Sequence, residues 1–75
     1  MTSVVTRELT HPVRKSRVRL RVYEPQTGGF LVTEERPGAA TVIATLGLYD
    51  RREQALDRVE ARVAELVRQR YTPSA

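Results

Sequence analysis

From Arg17 to Tyr23 the chain alternates without a break between charged or aromatic and aliphatic residues: Arg, Val, Arg, Leu, Arg, Val, Tyr. Only extended backbone turns successive side chains to opposite faces. The run therefore reads as a β-strand with Val18, Leu20 and Val22 on one face and Arg17, Arg19, Arg21 and Tyr23 on the other. A strand built this way needs an apolar layer on one side only, and the rest of the chain supplies it.

Pro25-Gln26-Thr27-Gly28-Gly29 is turn chemistry, with a fixed φ at Pro25 and free φ at the glycines. Phe30-Leu31-Val32-Thr33 follows as a second strand. After Pro37-Gly38, the β-branched run Thr41-Val42-Ile43-Ala44-Thr45-Leu46 predicts a third. Asp50, with Glu53 three residues on, resembles a capping box. Leu56, Val59, Val63, Leu66 and Val67 then recur at helical spacing, with Ala55 beside them. The expected fold is therefore α+β: a three-stranded antiparallel sheet in the order β-β-β-α, packed on one C-terminal helix. Its expected core joins Val18, Leu20, Val22, Phe30, Val32, Val42, Ala44, Leu46 and Leu48 to Leu56, Val59, Val63 and Leu66. Residues 1–13, ending in His11-Pro12, show no sustained period and read as a flexible N-terminal arm or at most an edge strand. Residues 14–71 form the single domain, and 72–75 a short tail.

At 75 residues with no Cys, the chain has neither disulfides nor thiolate metal sites, and no apolar run approaches the length of a membrane span. A cytoplasmic protein without membrane contact is expected. No nucleophile–base pair, metal-spaced ligand cluster or phosphate-cradling glycine motif stands out, so no enzymatic activity, metal, cofactor or small-molecule substrate is expected. Glu34 and Glu35 are adjacent on a strand and point to opposite faces, which prevents them acting as a dyad.

Charge is the informative property. The chain carries thirteen Lys plus Arg against nine Asp plus Glu, a net +4. Residues 1–24 hold Arg7, Arg14, Lys15, Arg17, Arg19 and Arg21 against Glu8 and Glu24, while the remainder is balanced, so the whole excess lies in the N-terminal third. That asymmetry suits a polyanionic partner. Arginines on alternate strand positions stand about 6.5–7 Å apart, near the spacing of every second phosphate along one DNA strand. Arg14 and Lys15 extend this row. Tyr23 continues it with a ring able to stack on a base. Arg51 and Arg52 stand in the first helical turn, where cations oppose the dipole, and are candidates for a phosphate clamp. The expected function is a non-enzymatic nucleic-acid-binding module, with double-stranded DNA ahead of RNA. The alternative is a protein-interaction module or small subunit. It would associate as a homodimer or with a protein partner through the third strand or the open face, where Thr41, Ile43 and Thr45 lie together. A continuous positive face favours the first; an Arg row paired to Glu34 or Glu35 favours the second.

The stretch Thr45-Leu46-Gly47-Leu48-Tyr49-Asp50-Arg51-Arg52-Glu53-Gln54-Ala55 resembles the strand-to-helix junction of Apetala-type and phage-integrase arm-type DNA-binding domains. The likeness covers roughly residues 17–67 and implies a three-stranded sheet laid in the major groove. The chain departs from that pattern with Arg52 where Ser or Thr is usual and Phe30 where Trp is common. Tyr49 to Ala55, together with Arg70-Tyr71, is also similar to the C-terminal half of WGR domains. The Trp-Gly-Arg signature is missing, with Arg36-Pro37-Gly38 in that region. The strand and helix order is similar too to the second half of double-stranded-RNA-binding domains, without their first helix.

Overall fold

The computed structural model describes residues 2–73. Its elements are β1 (Thr2–Thr10), β2 (Arg17–Glu24), β3 (Phe30–Arg36), β4 (Val42–Tyr49), α1 (Arg52–Arg68) and β5 (Thr72–Pro73). The strands form one sheet in the order β4-β3-β2-β1-β5, antiparallel at every pairing. The expected three-stranded sheet is thus corrected to five strands. The meander β2-β3-β4 and the C-terminal helix stand where the sequence puts them. The two added strands come from the segments read as arm and tail, whose residues 1, 74 and 75 lie outside the described residues.

The arm pairs with β2 along its whole length, from Thr2 opposite Glu24 to Thr10 opposite Arg17. Its composition, rich in Val and Thr, favours extended structure. Its alternation was hidden by a register shift between Ser3 and Val5, which lets the adjacent Val4 and Val5 both pack against the core. Pro12 interferes with no pairing, since it falls after the strand, in the turn to β2.

The core joins Leu9, Val18, Leu20, Val22 and Val32 of the sheet to Ala55, Val59, Val63 and Leu66 of α1, with Tyr71 closing one end. Phe30, Leu46 and Tyr49 pack against it and are partly buried. Three expected core residues, Val42, Ala44 and Leu48, are instead exposed. Two physical reasons account for them. A register shift falls between Val32 and Thr33, so Val32 faces Gly47 while Thr33 faces Thr45. That bulge at Leu46 reverses the alternation beyond it and sends Leu48 to the open face. Moreover, α1 starts just beyond Tyr49, at the end of β4, and finishes at Arg68, from where the chain reaches Tyr71 beside the β1–β2 turn. It therefore crosses the sheet diagonally and leaves the Val42–Thr45 corner uncovered.

Gly47 belongs to the same device. A Cβ there would sit 2.7 Å from the ring of Tyr49, which folds back over the glycine. Part of the junction motif that resembles known DNA-binding domains is thus explained by packing.

Candidate nucleic-acid interface

Alternation places Arg17, Arg19, Arg21 and Tyr23 on the sheet face away from α1, because Val18, Leu20 and Val22 between them are fully buried. The same face receives Glu8 from β1, opposite Arg19, and Glu35 from β3, also opposite Arg19. Charges facing each other across strands pair. Arg19 Nε lies 2.8 Å from Glu8 Oε1, Arg19 Nη1 lies 3.8 Å from Glu35 Oε2, and Arg21 Nε lies 3.2 Å from the same oxygen. Arg21 Nη1 also donates to the Tyr23 hydroxyl at 2.8 Å, and Arg21 Cζ lies 5.9 Å from the ring centroid. That hydrogen bond, followed by the attraction of Glu35, holds the Arg21 guanidinium above its ordinary pKa against the opposing effect of desolvation. Glu35 is only 8% exposed and Thr33 beside it 5%, although no layer covers this face. Arg19 and Arg21 stand directly opposite them on β2. The central Arg row is therefore an alternating-sign network, with Arg19 and Arg21 paired.

Arg17 is different, and so are Arg14 and Lys15 before it. Among the described residues none of the three has an ion-pair partner. Arg14 and Lys15 stand on the β1–β2 turn and Arg17 opens β2 directly after it; the turn is held by backbone bonds from His11 N–H to Ser16 C=O at 2.9 Å and from Lys15 N–H to His11 C=O at 2.8 Å. His11, the single histidine, is buried there, and its Nδ1 accepts from the backbone N–H of Val13 at 3.2 Å and of Arg14 at 3.1 Å. Its ring stands edge-on to Tyr71 with centroids 5.3 Å apart. The Tyr71 hydroxyl lies 3.2 Å from Ser16 Oγ. Its pKa is lowered, first by that contact and then, against burial, by Arg36 and Arg14. Tyr71 thereby joins the turn to the end of α1, and Thr72 Oγ1 donates to Thr10 C=O at 3.2 Å in the same region.

The helix C-terminus brings Arg68 and Arg70 to this end. Tyr71 N–H bonds to Leu66 C=O and Arg70 N–H to Val67 C=O, each at 3.0 Å, which is a Schellman motif with Arg70 at the position usually held by glycine. Among the described residues, the non-glycine residues with positive φ are Lys15 at 57° and Arg70 at 73°. Both are cations, and both stand at this end of the molecule.

The candidate residues thus divide into separate places. Arg14, Lys15 and Arg17 share the basic end with Arg68 and Arg70. Those last two were missed as site residues, because only the diagonal course of α1 returns the helix C-terminus to the β1–β2 turn. Arg19, Arg21 and Tyr23 form the paired network at the centre of the open face. Arg51 and Arg52 lie at the far end, beside the β2–β3 turn, roughly 25 Å away along the eight residues of β2. Thr41, Ile43 and Thr45 are exposed at the opposite edge of the sheet, with Ile43 across from Glu35 and Thr45 across from Thr33.

Among the described residues, no cluster of His, Asp and Glu is grouped as a metal site would require, and no helix is long and apolar enough to cross a membrane. No protein-family model, curated protein or solved structure matches the chain. The resemblances at the Thr45–Ala55 junction therefore rest on those residues alone.

Proposed function

We propose that this chain is a non-enzymatic nucleic-acid-binding module whose contact surface is the basic end formed by Arg14, Lys15, Arg17, Arg68 and Arg70, engaging the phosphates of duplex DNA. The observation that carries the reading is the backbone at Lys15 and Arg70. A left-handed conformation costs a side-chain-bearing residue about 1–2 kcal/mol, and glycine avoids that cost. Both positions keep a long cation instead. Strain retained at two positions whose chain neighbours, Ser16 and Tyr71, are in contact points to a use for the charges. The attraction of Arg68 and Arg70 to the helix dipole gives them local stability, but it explains neither the strain nor Lys15.

A binding titration against duplex DNA and duplex RNA across a range of salt concentrations tests this. Lys15→Gly with Arg70→Gly is expected to lower the slope of log K against log salt by about 1.8, at about 0.9 per lost phosphate contact. The same double variant should melt higher, since relief of about 1–2 kcal/mol at each site exceeds the added unfolded-chain entropy of about 0.4–1 kcal/mol. Absence of salt-dependent affinity for either duplex at low ionic strength overturns the proposal. A second reading, a protein-interaction module, is favoured by the pairing of Arg19 and Arg21 with Glu35 and by the uncharged outer strand β4. The two surfaces are distinct, so the readings are compatible.

A further inference from the structure

The sheet has two outer edges, and they differ. The β1 edge is partly covered by β5 and carries Arg7 and Glu8, with a register shift at Val4. Charge, cover and irregularity are the usual protections against unwanted strand pairing. Among the described residues the β4 edge has no strand outside it, and the sequence has no charged residue from Pro37 to Tyr49. Its single bulge, at Leu46, lies downstream of the regular stretch Val42–Thr45. Along that edge Val42 and Ile43 are each 61% exposed and Leu48 64%. Val42 and Ile43 project to opposite faces, so apolar surface borders the free backbone above and below.

We propose that the outer edge of β4 joins two copies of this chain, antiparallel and about a two-fold axis, into one continuous sheet. Charge selects a second copy as the occupant. An isologous contact sets a strand against itself, so any charged residue near the axis meets its own like. β4 has none. Ile43 then packs beside residues of the partner on the open face and Val42 on the other. Backbone bonding along an edge this short gives a weak, concentration-dependent dimer. This inference is independent of nucleic-acid binding.

Sedimentation equilibrium of the full chain over about 10 µM to about 1 mM, the weak-complex range, tests it. The apparent mass is expected to rise from the 8.5 kDa of one chain towards twice that value. Val42→Lys with Ile43→Lys should hold the mass at one chain with an unchanged circular dichroism spectrum, since both side chains are already in water. The chain has no cysteine, so single-cysteine variants at Ile43, Ala44 and Thr45 provide a second measurement. Oxidation should cross-link at the position nearest the axis, where the Cβ atoms oppose each other, while Thr6→Cys on β1 stays monomeric. A wild type that remains monomeric throughout overturns the proposal and leaves the edge open to a strand of another protein. A dimer that survives both lysines, or cross-links as readily through Thr6→Cys, overturns it as well.

Discussion

Glu34 and Glu35 are chain neighbours on β3, yet they belong to different halves of the molecule. Glu35 faces the open side and ties Arg19 to Arg21. Glu34 faces the helix and accepts from Arg62 Nε at 2.6 Å, Arg62 Nη2 at 3.3 Å and Arg36 Nη2 at 3.2 Å. Burial alone would raise its pKa, and the bonds and charges of Arg62 and Arg36 outweigh burial and leave it lowered from 4.5. A carboxylate with a folded pKa below its unfolded value contributes stability above the unfolded value and loses it as pH falls through the folded one. Acid destabilisation should thus continue below about pH 4.5, the ordinary range of a free glutamate. Glu34→Gln should flatten that part of the stability-against-pH curve. At neutral pH it should cost about 1–3 kcal/mol by weakening charge-assisted bonds to Arg62, measured by urea unfolding. A variant with the wild-type acid limb would show that other carboxylates govern it. The opposite facing of these two glutamates was legible from alternation alone. The partner of Glu34 was not, because Arg62 meets it only once α1 has docked.

Elements were legible where their period was unbroken and obscure where a single residue shifts the register. β2 alternates strictly and its burial follows the sequence pattern residue by residue. β4 keeps an apolar residue at every second position from Val42 to Leu48, yet the bulge at Leu46 puts that pattern out of phase with the sheet. The helix start is displaced in a similar way. Asp50 was the expected cap, but the residue at the N-cap is Arg51, with extended φ −121° and ψ 144°, and the Gln54 side chain accepts its N–H at 3.3 Å. An arginine side chain cannot accept from the free amides of the first turn. Arg51→Asp should therefore stabilise the fold by about 1 kcal/mol through capping, with a further few tenths from the dipole. For a domain of this size that is a rise in melting temperature of about 4–8 °C. Because Arg51 stands at the end remote from Arg14 and Arg70, the same variant should leave the salt slope of DNA binding unchanged. A loss of slope would return the far end to the binding surface.

At the scale of the whole molecule, the segment that sequence patterning treats as an arm completes the fold. Without β1 the sheet would end at β2, with Leu20 and Val22 at a raw edge and the helix end undocked. β1 adds fully buried Leu9 to the core, along with partly buried Val4 and Val5. Arg7 pairs with Glu60 on α1, so the strand is also tied to the helix by charge. β1 provides the edge to which β5 binds, through Leu9 opposite Pro73 and Thr10 opposite Thr72. Those contacts in turn hold Tyr71 and Arg70 beside the β1–β2 turn. The basic end therefore exists only if β1 is in place, and stability and the proposed binding surface depend on one strand. A small domain has little stability to spare, about 5–15 kcal/mol in general. Losing a buried leucine costs about 2–5 kcal/mol, before the lost strand pairing is counted. Leu9→Ala should lower the unfolding free energy measured in urea by that amount, and deletion of residues 1–10 should leave a chain without a cooperative unfolding transition. A disordered arm predicts the contrary, namely that the truncated chain melts as the full chain does. Circular dichroism of the two chains side by side separates these outcomes. A cooperative transition in the truncated chain at the full-length midpoint would remove β1 from the fold and, with it, the basic end from the candidate site.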